Sequence, residues 1–248
     1  MTALRAEWTK FRTSPGTIGL LLVLVATTVA VSAAAAAAIT CRGDCEIDPA
    51  RVSLTGVRLG QAVVAILAVL MIGTEYGTGM IRTTLTAVPR RWTVLLAKSA
   101  VLVAVVAVAA TVAVLGSLLV GRELLPAGQT FSWTAAPVLR AMIGSVVYLV
   151  LVALLGLGVA TAVRNAAAAI GLVLGLLYLF PILALSVSDP TWIRRLEKVG
   201  PMTAGLGVQA TKGLEDLAIG PWRGIGVLGA WALAALVVGG VLLRRRDA

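Results

Sequence analysis

Residues 94–119 carry a single charged side chain, Lys98, in a run otherwise built from Val, Leu, Ala and a few small polar residues. About 20 apolar residues, each rising about 1.5 Å, cross the roughly 30 Å hydrocarbon core of a membrane. A helix of that length also keeps its backbone amides bonded within the segment. Residues 17–39, 141–161, 166–187 and 223–243 form four more such runs, and residues 57–74 a shorter one whose first turn bears Arg58 and Gln61. That first turn reads as interfacial, where an arginine reaches the head groups. The runs are continuous rather than alternating, which excludes the roughly ten-residue strands of a membrane β-barrel.

The expected fold is therefore all-α, a polytopic membrane protein with six transmembrane helices in one domain, residues 1–248. Composition agrees: 13% of residues are charged and the mean hydropathy is +0.99, against about a quarter charged in soluble chains. The longest polar connection, residues 188–222, is too short to bury a core of its own. The first run starts late and is too long for a cleavable signal peptide.

Six spans put both termini on one side. That side holds Arg5, Lys10, Arg12, Arg82, Arg90, Arg91, Lys98, Arg164, Arg244, Arg245 and Arg246, eleven of the 21 basic residues. The bare count barely divides the sides, but density on short segments favours this one as cytoplasmic. Eight of the 11 acidic residues fall on the other side, including Asp44, Glu46, Asp48, Asp189 and Asp216. A basic inner face beside anionic lipid accounts for the net charge of +10 without nucleic acid, whose groove would cluster bases with aromatics.

Both cysteines, Cys41 and Cys45, lie in the first outer connection with three residues between them. This spacing allows a disulfide and equally allows free thiols. A metal site is disfavoured, because the chain has no His and no second Cys pair. No carboxylate lies deep in a span, so proton coupling and membrane-embedded hydrolysis are poorly supported. The chain also lacks a G-x-x-x-x-G-K-[ST] phosphate loop. It binds no cofactor on this reading, and any ATP and Mg would belong to a partner.

Two segments at the inner membrane boundary carry further meaning. After the second span, Gly77 and Gly79 break the helix, Ile81 and Leu85 recur at i, i+4, and Pro89 ends the turn. That pattern describes either a short surface helix or an ordinary loop. At the amino end, residues 1–16, Leu4, Trp8 and Phe11 fall at i, i+4, i+7 with Arg5, Lys10 and Arg12 off the stripe. This is an interfacial amphipathic helix with an aromatic anchor. Weaker features are Pro181, expected to kink the fifth span, and Gly171 with Gly175, a G-x-x-x-G that could mark a close helix contact.

The stretch EYGTGMIRTTLTAVPRRWTVLLAKS (75–99), the opening LRAEWTKFRTSPGTIGLL (4–21) and the close PWRGIGVLGAWALAALVVGGVLLRRRDA (221–248) together resemble the ABC-2 type permeases, membrane subunits of bacterial ATP-binding-cassette exporters. The resemblance implies an ATP-driven permease, not itself an enzyme, in the bacterial cytoplasmic membrane. It implies two copies of a cytoplasmic ATPase subunit and a second permease, identical or related, as partners, with membrane lipids around them. Carried over, Glu75, Tyr76, Gly77, Gly79, Arg82, Thr83 and Leu85 would form a coupling helix docking on the ATPase, flanked by Arg90 and Arg91. The amino-terminal helix would lean on that ATPase, or serve only as a positive-inside anchor; both readings place it in the cytoplasm. Residues 201–205 and Pro221-Trp222 resemble an outer re-entrant region. The apolar spans suit an amphiphilic substrate such as a lipid, an antibiotic or a peptide. An immunity or sensor protein that sequesters an amphiphile is the alternative, and a channel, for want of a polar stripe, ranks third.

Overall fold

A computed structural model describes residues 2–40, 47–87, 91–126 and 129–245. Among them the secondary structure is helical, with no strand. In chain order the helices are α1 (Thr2–Thr13), α2 (Pro15–Ala37), α3 (Pro49–Ser53), α4 (Val57–Gly77), α5 (Met80–Ala87), α6 (Arg91–Leu124), α7 (Ala136–Val163), α8 (Ala166–Ser186), α9 (Pro190–Val199), α10 (Pro201–Leu206) and α11 (Pro221–Arg245). Six are long and apolar enough to cross a membrane: α2, α3 with α4, α6, α7, α8 and α11. The protein is thus an all-α, six-span membrane protein. Cys41 and Cys45 lie outside the described residues.

Local chemistry sets the helix ends. Proline occupies the first turn of α2, α3, α7, α9 and α10, where its missing N–H costs nothing. Asp48 caps α3 by accepting from the Arg51 amide at 3.1 Å, and Asn165 caps α8 by accepting from the Ala168 amide at 2.9 Å. Between α7 and α8 only Arg164 and Asn165 intervene, with Arg164 in the left-handed region at φ 61°. Gly79, at φ 72°, turns the chain between α4 and α5, a conformation that costs glycine little.

The core runs along α4, α6 and α7, whose inner faces are closed by Leu102, Val106, Tyr148, Leu149 and Val152. Helices α2, α8 and α11 flank this core and leave long apolar faces outward, Leu22, Leu172 and Val238 among them. In lipid, such faces need no cover. Helix α11 lies tightly along α7: a Cβ on Gly158 would stand 2.5 Å from the Ala235 carbonyl carbon, and one on Gly239 would stand 2.5 Å from the Gly158 oxygen. Gly171 and Gly175, by contrast, meet nothing within 4 Å. The G-x-x-x-G of α8 faces outward and makes no close helix contact within the chain, because a small-residue spacing says nothing about which face a helix turns inward. Pro181 lies inside α8, which continues to Ser186.

Three polar or soft groups pair inside the bundle. Tyr148 Oη donates to Gln61 Oε1, and Gln61 Nε2 donates to Met202 Sδ at 3.1 Å, linking α7, α4 and α10. Gln61 is thus fully buried within the protein. Helix α10, the segment expected to be re-entrant, has five of its six residues buried against the bundle. Helix α9 before it has no buried residue and holds Trp192 and Arg195 on its surface.

Candidate functional site

At the end of the bundle that holds α1, four ionisable side chains meet. Lys98 comes from the second turn of α6, Glu75 from the last turn of α4, and Glu7 and Lys10 from one face of α1. Lys98 Nζ reaches Glu7 Oε2 and Glu75 Oε1, both at 2.7 Å, and Lys10 Nζ reaches Glu75 Oε1 at 2.9 Å and Glu7 Oε1 at 3.4 Å. The Lys98 side chain is 1% exposed, and those of Glu7 and Glu75 are 5% and 6% exposed. Only Lys10, at 37%, opens to the surroundings.

Each carboxylate thus faces two ammonium groups. A lone buried charge costs several kcal/mol, so these four are tolerable only together. Glu75 Oε2 stays buried with no hydrogen-bond partner among the described residues. Beside the cluster lies a cavity of about 270 Å³ walled by Thr17, Met71, Thr74 and Met80.

The same cluster holds the short helix. Lys10 Nζ donates to Thr84 Oγ1 of α5 at 3.4 Å, so one lysine touches α1, α4 and α5. Lys10 sits outside the spans. Burial pulls its pKa down, but the hydrogen bond and charge of Glu75, with the charge of Glu7, hold it above the ordinary 10.5.

The residues expected at this end divide among elements. Glu75, Tyr76 and Gly77 close α4 rather than forming the short helix, because the helical ladder of the second span runs unbroken to Gly77. Gly79 makes the turn, and Arg82, Thr83 and Leu85 lie on α5, with Thr83 exposed. The side chains of Arg82 and Leu85, and Arg90 altogether, fall outside the described residues. Arg91 starts α6 and donates to the Leu243 carbonyl at 2.7 Å, tying α6 to the last turn of α11. Tyr76 lies under the Arg164 guanidinium, 5.7 Å from its ring centroid.

On α1, Leu4 and Trp8 are exposed, and Trp8 stacks on Phe11 at 6.2 Å, so this stripe points away from the protein while Glu7 and Lys10 point in. Sequence reasoning missed Glu7 and counted Lys10 and Lys98 only as inner-face charges. The available signals were Glu7 and Lys10 at i, i+3 along one flank of the apolar stripe, and a lone lysine inside an apolar helix, which in a membrane must find a partner.

Four groups so arranged are suited to holding elements together rather than to catalysis. Among the described residues, no set of three or more His, Cys, Asp or Glu could hold a metal ion. The geometry makes a rigid knot between α1, α4 and α6, with α5 hung from it at the Gly79 turn.

Comparison with known families returns one match, to a model described as ABC-2 family transporter protein, over residues 3–182. A search of curated proteins returned no match. The matched segment includes α1, the ion cluster, α5 and most of α8, and the chain therefore belongs to the ABC-2 transporter family of membrane permeases.

Proposed function

We propose that the chain is the membrane-spanning subunit of an ATP-driven exporter, and that α5 is the element through which an ATP-binding-cassette ATPase moves it. Membership of the family makes the chain a transport component that works with an ATP-binding-cassette subunit. Outward direction, an amphiphilic substrate, two ATPase copies, a second permease subunit and cytoplasmic termini complete the proposal, with ATP and Mg on the partner.

One observation carries the role of α5. A short helix hangs between a glycine turn and a buried ion cluster, so a load on it passes to three helices at once. A flexible loop there would absorb the load. Under this reading ATP-driven closure of the ATPases displaces α5, and the differential contact of its two positions biases the bundle between inward and outward openings. Arg82 would form charge-assisted hydrogen bonds to an acidic groove of the partner, and Leu85 would supply the apolar contact.

The test is a gentle detergent pull-down of the tagged chain from its host, with nucleotide hydrolysis assayed before and after Glu75→Ala and Arg82→Ala. A co-purifying ATPase whose hydrolysis is uncoupled, or which is released, by either change supports the proposal. A chain that comes down alone would instead favour the sequestering immunity or sensor protein.

A further inference from the structure

At the other end of α4, roughly 25 Å from the ion cluster at about 1.5 Å per residue, a cavity of about 430 Å³ opens between α3, α4, α9 and the segment after α10. Its charged lining comes from several elements: Arg51 from α3, Arg58 from α4, Glu197 from α9, and Lys212 and Asp216 from the segment after α10.

Among the described residues none of Arg51, Arg58, Glu197 and Asp216 is in an ion pair, and neither guanidinium has a hydrogen-bond partner. Asp48, the nearest carboxylate in sequence to Arg51, is already committed: it accepts from the Arg51 and Lys212 amides and from both the amide and the hydroxyl of Thr211. Lys212 Nζ donates to the Ile47 carbonyl at 2.9 Å. Met202, Leu206 and Leu217 make part of the lining apolar, the first two of them buried.

With Lys212 held by the Ile47 carbonyl, two arginines and two carboxylates that line one cavity without pairing suit a ligand that brings both signs. An acid alone would satisfy the arginines and be repelled by the carboxylates. We infer that this cavity binds the zwitterionic phosphate-and-amine headgroup of a membrane amphiphile, with the phosphate on Arg51 and Arg58, the ammonium on Glu197 and Asp216, and the first carbons of the tail on the apolar lining. Arginine suits the phosphate because its planar fork donates two hydrogen bonds in fixed geometry. The inference rests on the chain alone and stands whether or not it exports.

The test uses the purified full chain in detergent, with binding read by native mass spectrometry and titration calorimetry. The probes are short-chain phosphatidylethanolamine, short-chain phosphatidylglycerol and chain-free glycerophosphoethanolamine. The expected result is preference for phosphatidylethanolamine, weakened about tenfold or more in R51A/R58A, since hydrogen bonds to charged groups are worth about 1.5–3 kcal/mol. E197Q/D216N should abolish the preference over phosphatidylglycerol. The single changes R58A and E197Q should move binding the same way to a smaller degree, which covers loss of folding in a double variant. Equal affinity for the two lipids, or binding unchanged in R51A/R58A, overturns the assignment. Chain-free headgroup binding as tightly as the lipid overturns the membrane source and leaves a soluble ligand.

Discussion

Lys98 and Glu75, 23 residues apart, meet at 2.7 Å with both side chains withdrawn from the surface. Each would be costly to bury alone, and together they fix where α6 starts against where α4 ends. Lys98→Ala takes the buried ammonium from both Glu75 and Glu7 and leaves the two carboxylates sharing Lys10 alone. The expected loss is about 3–5 kcal/mol, read as a lower melting temperature in detergent and faster proteolysis within α1. The double change Glu75→Gln, Lys98→Met should recover part of that loss, because the one carboxylate then left, Glu7, still faces the ammonium of Lys10. A Lys98→Ala chain as stable as the parent would remove the cluster from the forces that hold α1.

Lys10 predicts how that docking depends on pH. Its pKa in the folded chain lies above 10.5, so its contribution is fully present below about 10.5 and is lost as pH rises through the elevated value. Helix α1 should stay docked through neutral and mildly alkaline solution and loosen only beyond that point. Trp8 fluorescence followed from pH 7 upward, in the parent and in Lys10→Met, checks this, with the upper transition absent in the variant.

The α7–α11 crossing gives a paired prediction. Gly158→Ala would drive a methyl group to 2.5 Å from the Ala235 carbonyl carbon, while Gly171→Ala meets nothing within 4 Å. Overpacking of that kind costs about 1–3 kcal/mol, so the first variant should melt lower and the second should match the parent. Equal melting temperatures would contradict the packing of α11 on α7.

Tyr148→Phe removes the donor to Gln61 Oε1 deep in the bundle. A buried acceptor without a partner costs about 1–3 kcal/mol. Denaturant titration of Tyr148→Phe beside Tyr148→Phe, Gln61→Leu should show the single variant as the less stable of the two.

The spans were legible because a bilayer demands a length of apolar chain that little else demands, and six runs met it. The short helix was half legible: Gly79 and the Ile81–Leu85 spacing marked it, but where α4 stops could not be read, since Glu75, Tyr76 and Gly77 look as much like a surface connection as a last helical turn. Lys98 was misread for a related reason. Helix α6 begins at Arg91, which puts Lys98 about two turns inside it, whereas its place just after Arg90 and Arg91 led to its being counted with the inner-face charges. The partners of that lysine were beyond sequence reasoning, because Glu7 lies 91 residues away and no local period connects them.

The charges of the cluster sum to zero, two carboxylates against two ammonium groups. One elementary charge carried through the whole membrane field does about 2.3 kcal/mol of work per 100 mV, but a neutral group moving as one body does none. A displacement of Glu7, Lys10, Glu75 and Lys98 as one body would therefore do no net work against the membrane voltage, at a place where a single unpaired lysine would have coupled the fold to the electrical state of the cell.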